Sequence, residues 1–319
     1  MRRLRILTWH VHGSYLKYLT QGAHDWFLPV KPGLPEGFGG RSGSGWGDNV
    51  FDVPAGEVRA GDYDLILYQS HRNWQVDRCE LLSATQLHLP QLYLEHDPPR
   101  DSPTDTRHPV DDPAVTVVHV TAFNALMWDN GGSPVRVVDH GVADHGALYT
   151  GELDRGLVVV NGLARRGRRL GADIVGRAQA ALPIDLVGML SQEAGGIGEI
   201  PLADLPAFSA RYRFFLHPIR YTSLGLALCE AMMLGLPVVG LATTELPTVI
   251  VDGENGFIAT DEAALHDAMR RLLADRALAQ RIGAAGRKTA LARFSLTRFA
   301  DDWDCVFAEA MATQLERAA

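Results

Sequence analysis

Two stretches of this chain concentrate groups suited to binding phosphate. In Leu216-His217-Pro218-Ile219-Arg220-Tyr221-Thr222-Ser223-Leu224-Gly225-Leu226, an apolar run ends at His217-Pro218 and a loop follows. A helical pattern then begins near Thr222 and Ser223, either of which can cap it. Gly225 falls in the first turn, where the missing Cβ lets a ligand approach the backbone. Unpaired amides at a helix start, with the dipole behind them, suit a diphosphate, so Ser223, Leu224, Gly225 and Leu226 are candidate contacts. Glu230 lies on the same helix among apolar neighbours and needs a partner, for which a ribose diol or a nearby Arg serves equally. Upstream, residues 161–171 read NGLARRGRRLG directly after the apolar run LVVVN. Its arginines, Arg165, Arg166, Arg168 and Arg169, either grip a diphosphate through bidentate hydrogen bonds or form a solvated basic loop.

A second cluster sits near the amino terminus, in Trp9-His10-Val11-His12-Gly13-Ser14, at the end of a strand pattern and the entry to a helical one. Ligands of open α/β sheets collect outside the carboxyl ends of the strands, so this turn faces a binding crevice. Gly13 admits a phosphate or acceptor close to the backbone, and His10 or His12 can donate to it. Strand-end packing is the competing role for each histidine. No His, Cys and Asp spacing suits a metal ion and no G-x-S-x-G elbow occurs, so neither a metal nor another cofactor is expected.

These residues must be held by elements, and the pattern of elements is regular. Apolar runs at 4–11, 63–69, 91–96, 116–121, 135–140, 157–161, 184–189, 212–218 and 236–242 lack polar alternation, as strands buried on both faces of a parallel sheet do. Helical patterns at 73–87, 171–181, 224–234 and 261–274 alternate with them, which specifies an α/β fold with helices on both sheet faces. A break at 141–156 places a linker there and divides the chain into two domains. The first spans 1–148 and the second 149–295. From 296 onward, Phe299, Trp303, Val306, Phe307 and Ala310 recur at helical spacing and form one apolar face that must be buried. The Gly- and Pro-crowded segment 31–56 reads as a functional loop or a disordered excursion, with Phe38, Trp46 and Phe51 favouring a loop that orders over a site.

Length and composition agree with this outline. The chain has 319 residues and 46% hydrophobic residues, enough for two cores. A net charge of -8 argues against non-specific nucleic-acid binding. Cys79, Cys229 and Cys305 are few and far apart, as in reduced thiols. No apolar stretch reaches the roughly 18 residues of a membrane span, and the expectation is a cytoplasmic protein.

The stretch Glu230-Ala231-Met232-Met233-Leu234-Gly235-Leu236-Pro237-Val238-Val239 resembles the second half of the E-x7-E…A-M-A-x-G-x-P-V-V donor signature of glycosyltransferase family 4 and its GT-B relatives. Asp252-Gly253-Glu254-Asn255-Gly256-Phe257 resembles the family's D-G-x-x-G turn followed by a short strand. The resemblance implies two Rossmann-like doubly wound parallel-sheet domains facing a cleft, with the last helix crossing back to the first domain. It implies a retaining glycosyltransferase that takes its sugar from a nucleotide-diphosphate sugar, without a metal, and delivers it to a carbohydrate, lipid-linked or small-molecule acceptor. Peripheral association with a membrane is left open. Glu230 would bind the ribose, and the amides around Gly225 and Leu226 the diphosphate. Thr222 stands where the family has its first Glu, which contacts the sugar ring. The family's G-R-x4-K-G is matched in one of two registers: Asn161 with Arg166, or Arg165 with Arg169. Gly188 resembles the glycine beside the nucleotide base. In the first half, His96 takes the place of a histidine that reaches the donor sugar, Thr121 that of a Ser opening a cleft-facing helix, and His140 that of Asn in N-G-V-D. Two other readings are an epimerase, for which Glu95 and Asp97 would be the paired carboxylates, and a non-catalytic nucleotide-sugar-binding subunit, which the threonine at 222 would suit.

Overall fold

The computed structural model describes residues 2–43 and 45–318, the side chains of 315–318 excepted. In chain order the first elements are β1 Arg5–Thr8, α1 Gly13–Leu19, β2 Asp25–Val30, β3 Val50–Pro54, β4 Leu65–Tyr68, α2 Arg78–Leu81, β5 Gln91–Glu95, β6 Val115–His119, α3 Ala122–Met127 and β7 Val135–Val137. There follow β8 Leu153–Val159, α4 Leu163–Arg166, α5 Ala172–Ala181, β9 Ile184–Val187, α6 Leu205–Ser209, β10 Tyr212–His217, α7 Leu226–Leu234 and β11 Val238–Leu241. The chain ends with α8 Leu246–Val249, β12 Phe257–Ala259, α9 Glu262–Ala274, α10 Arg276–Arg293 and α11 Leu296–Ala318.

These elements form two compact units, one of Met1–Gly141 with Leu296–Ala319 and one of Val142–Ser295. This boundary lies seven residues before the 148/149 division that the sequence suggests, and β8 starts inside the stretch expected as a linker. Each unit is the parallel α/β sheet that the GT-B reading requires. The first holds seven strands in the order β3-β2-β1-β4-β5-β6-β7, and the second five in the order β12-β11-β10-β8-β9. All the strand pairs are parallel. Apolar burial explains the unalternated runs: β4, β10 and β11 are buried at every position.

Strand order fixes where each unit can bind a ligand. In the first sheet the order reverses between β1 and β4; in the second it reverses between β8 and β10. Diverging connections leave a crevice outside the carboxyl ends of such strand pairs. The crevice of the first unit is therefore bordered by the residues after Thr8 and Tyr68, that of the second by those after Val159 and His217.

Helix α11 groups with the first unit, and its apolar face is covered. Phe299, Trp303, Val306 and Phe307 are all buried, and the Trp303 indole N–H donates to the Tyr15 hydroxyl at 3.2 Å. The structure departs from expectation in three other places. Strands β2 and β3 carry Pro29 and Pro54, which obscure their pattern; β3 survives as an edge strand, where a missing amide is tolerated. The segment expected as one helix over 73–87 is broken. Ser83 and Gln86 exchange side-chain bonds with each other's amides at 2.9 and 3.2 Å, a reciprocal cap that starts a new turn. The described residues of 31–56 contain β3 and a loop whose Phe38 is fully buried.

Candidate functional site

In the second unit, β10 delivers the chain to the switch point at His217, and the loop 218–225 then leads into α7. Neither Thr222 nor Ser223 caps the helix. Gly225 is its N-cap, at φ 89°, and among the described residues no side chain bonds to the free amides. Only glycine adopts that backbone geometry without strain, and the amides that follow it are left for a ligand. Thr222, Ser223 and Leu224 are buried; Leu226 and Glu230 are half-buried.

The loop before α7 is held from two sides. On one, the amides of Arg220 and Tyr221 donate to the Arg169 carbonyl at 3.0 and 3.3 Å. A Cβ on Gly171, at φ 83°, would lie 2.1 Å from the Pro218 carbonyl oxygen, so the start of α5 and the loop touch backbone to backbone. On the other, Thr243 and Thr244 after β11 donate their hydroxyls to the carbonyls of Ile219 and Ser223 at 3.0 and 3.3 Å.

The arginines divide sharply. Arg165 is exposed and grips Glu193 with two bonds, at 3.0 and 2.6 Å. Arg168 pairs with Asp173 at 2.8 Å, and Arg220 grips both oxygens of the same carboxylate. The Arg220 hydrogen bonds, reinforced by Arg177, hold the Asp173 carboxyl far below the usual range. Arg166 is exposed. Arg169 is half-buried, and among the described residues its guanidinium has no ion-pair or hydrogen-bond partner. A partly desolvated cation without a counter-charge, on a backbone bonded to the loop that ends in uncapped amides, is an arrangement that an anion completes.

Asn161 is exposed but tied to the protein, and Gly188 is buried. The Asn161 side-chain oxygen accepts from the Met189 amide at 2.8 Å, and a Cβ on Gly188 would lie 2.7 Å from the Val160 carbonyl. Both serve the close packing of β8 against β9. Of the two registers for the basic motif, the one with Arg169 keeps a free cation.

The switch point of the first unit gathers a different set. The Gln69 amide donates to the Thr8 hydroxyl and the Trp9 carbonyl at 2.8 and 2.9 Å, which turns its oxygen towards His96 Nε2 at 3.2 Å. That fixes a proton on Nε2 of His96. The His12 and His96 rings lie 4.0 Å apart, with the Tyr15 edge against His96. Desolvation, with the neighbouring His12 and His140, holds His96 well below the usual histidine range; burial also lowers His12. Both are neutral at pH 7.

His10 stands apart from this pair. Its Nδ1–H donates to the Gly40 carbonyl at 2.7 Å, and its ring meets Trp46 edge-on, so it anchors the ordered loop. A Cβ on Gly13 would come within 2.9 Å of His10 Nε2, so this glycine makes room for the imidazole. Thr121 caps α3 through the Asn124 amide at 3.1 Å. His140 is buried against Tyr15. Sequence reasoning passed over Gln69, Arg220, Asp173, Thr243 and Thr244. Only Arg220, in the loop after β10, carried a visible signal. Among the described residues no three His, Cys, Asp or Glu side chains gather as a metal site would need, and no helix is long and apolar enough to cross a membrane.

Residues 162–275 match the family described as glycosyl transferases group 1. Over 95 residues, 26% of this chain and 24% of the relative, the chain is 36% identical to the O-antigen chain mannosyltransferase B of Escherichia coli. Over 101 residues, 29% of this chain and 26% of the relative, it is 36% identical to a GDP-mannose-dependent alpha-(1-6)-phosphatidylinositol monomannoside mannosyltransferase of Mycolicibacterium smegmatis. The matches span about a quarter of these curated relatives' length. Among solved structures, sucrose-phosphate synthase from Thermosynechococcus elongatus superposes with a TM-score of 0.69 at 19% identity, over 98% of this chain and 100% of that one. Anabaena HepE in complex with UDP gives 0.70 at 13% identity, over 97% and 100%. The resemblance to group 1 glycosyltransferases of GT-B fold stands, and in sequence it is concentrated in the second unit.

Proposed function

We propose, from the group 1 glycosyltransferase match over residues 162–275, that this chain transfers a sugar from a nucleotide-diphosphate sugar to a carbohydrate, lipid-linked or small-molecule acceptor with retention of configuration. One observation carries the reading: the loop that leads into the uncapped start of α7 at Gly225 is bonded, through the Arg220 and Tyr221 amides, to the backbone of Arg169, whose guanidinium has no partner among the described residues. In this assignment the amides of Leu226 and its neighbours, with Arg169, hold the diphosphate and stabilise its charge as it leaves. The Glu230 carboxylate takes the ribose diol. Thr222 replaces an acid at the sugar ring with a group that supplies at most a neutral hydrogen bond. In the first unit, His96 is assigned to the transferred sugar and His12 to the acceptor, both as neutral imidazoles. No metal is invoked, because amides and Arg169 supply the electrostatic stabilisation.

The epimerase reading loses its paired carboxylates. Glu95 accepts from the Asp97 amide at 2.9 Å and from buried His108 at 3.2 Å, and Asp97 is paired with Arg100. Neither is poised to move protons around a sugar ring.

The name of the Mycolicibacterium smegmatis relative puts GDP-mannose first among donors to try, and a HepE complex puts UDP-glucose second. Thermal unfolding with GDP, UDP, ADP and their sugars is the direct test. One nucleoside diphosphate should raise the midpoint, by an amount equivalent to about 2.7 kcal/mol at a hundredfold excess over its dissociation constant. Glu230→Ala should abolish the shift, and an undiminished shift removes Glu230 from the ribose. Turnover unchanged by EDTA is expected; a loss restored by a divalent cation defeats the metal-independent assignment. The anomeric proton of the product, read by NMR, decides retention.

A further inference from the structure

His217 has no role in the assignment above, yet it is among the most unusual polar groups of the second unit. It ends β10 at the switch point and is 6% exposed. Across the sheet it pairs with Gly240, where a Cβ would press to 3.2 Å from its own. The imidazole therefore has room beside β11 that a larger residue would close. Among the described residues neither ring nitrogen has a hydrogen-bond partner, and no charged group influences it. A buried polar ring without a partner is costly unless something else supplies one.

The space it borders is the start of α7. The atom nearest to a Cβ built on Gly225 is His217 Cε1, at 4.0 Å, with nothing else within that distance. Cε1 lies between the two ring nitrogens, so the nitrogen-bearing edge of the imidazole borders the N-cap. Burial lowers the His217 pKa to about 4, so at neutral pH it is an uncharged ring with one N–H. Glu230 lies five residues further along the helix, roughly 7 Å at the usual rise. Anchoring the ribose there puts the second phosphate, the one away from the nucleoside, at Gly225.

We infer that His217 is a donor-site binding residue whose imidazole N–H bonds the distal phosphate of the nucleotide sugar, and that it makes the site discriminate a nucleoside diphosphate from a monophosphate. The inference rests on the donor site proposed above. Isothermal titration of UDP against UMP and of GDP against GMP, on wild type, His217→Ala and His217→Gln, tests it. In the alanine variant the diphosphate should weaken about tenfold and the monophosphate less than about threefold, with most of the preference restored by Gln, which keeps an N–H donor. Equal weakening of both ligands, or of neither, overturns the role of His217 while leaving the donor site intact. A wild type that binds no nucleoside diphosphate overturns the donor site itself. A crystal of the wild-type chain with the same diphosphate needs no variant to fold. A ring nitrogen within about 3.2 Å of a distal phosphate oxygen supports the inference, and one lacking any such contact overturns it.

Discussion

At the scale of single residues, the donor side is decided by which cations are already satisfied. Arg165 and Arg169 sit four residues apart in one loop, yet Glu193 neutralises the first and no described side chain the second. Removing a guanidinium that meets a diphosphate costs a charge-assisted bond, so Arg169→Ala should weaken nucleoside diphosphate binding about tenfold or more. Exposed Arg165 has only a solvent-screened pair to lose, and Arg165→Ala should change binding by less than about twofold. Titration calorimetry at one salt concentration compares them. A reversal of the two effects would return the basic motif to the other register.

At the scale of elements, the candidate site depends on backbones placed in contact. Gly171 lets the start of α5 touch the loop after β10, and any Cβ there collides with the Pro218 carbonyl while its φ of 83° adds strain. Gly171→Ala should therefore lower stability by about 2 kcal/mol and weaken diphosphate binding as well, since the displaced loop carries Gly225. Unchanged binding in a destabilised variant would show that the loop is set by Thr243 and Thr244 alone. Far from the site, buried Arg213 at the opposite end of β10 donates to the carbonyls of Gly151, Leu272 and Leu273 and pairs with Asp154. It ties the last turn of α9 to the sheet. Arg213→Ala strands those acceptors and should cost about 3 kcal/mol in denaturant titration, with nucleotide affinity in the remaining folded protein unchanged.

At the scale of the whole molecule, both units bury histidines in the neutral form, which links stability to pH. Burial brings His119 and His217 down to about 4, and His96 well below the ordinary value. The unfolded chain takes up these protons near pH 6.5 while the folded chain refuses them. Stability is thus fully present above about pH 6.5, falls as the pH drops, and has lost their contribution by about pH 4. For a shift from 6.5 to about 4 the loss is on the order of 3 kcal/mol per histidine. Urea midpoints between pH 7.5 and 4.5 should fall accordingly, and His119→Gln should flatten part of the slope. A pH-independent midpoint would mean that these rings are solvated.

The pattern of apolar runs alone determined two parallel α/β sheets, because strands covered on both faces cannot alternate and helices must cover them. The α7 helix and its glycine were legible for the same local reason: φ above zero and a helix start leave marks in the residues themselves. The apolar face of α11 was likewise legible as a face needing cover. Tertiary structure decided the rest. Asp173 and Glu193 select which arginine of the loop stays free, and they lie 5 and 28 residues from Arg168 and Arg165, the ones they neutralise. Gln69 sets the tautomer of His96 from another strand, and Gly240 opens the space for His217 from a third. Ion pairs and cross-strand packing join residues by distance in space, so no spacing along the chain announces them.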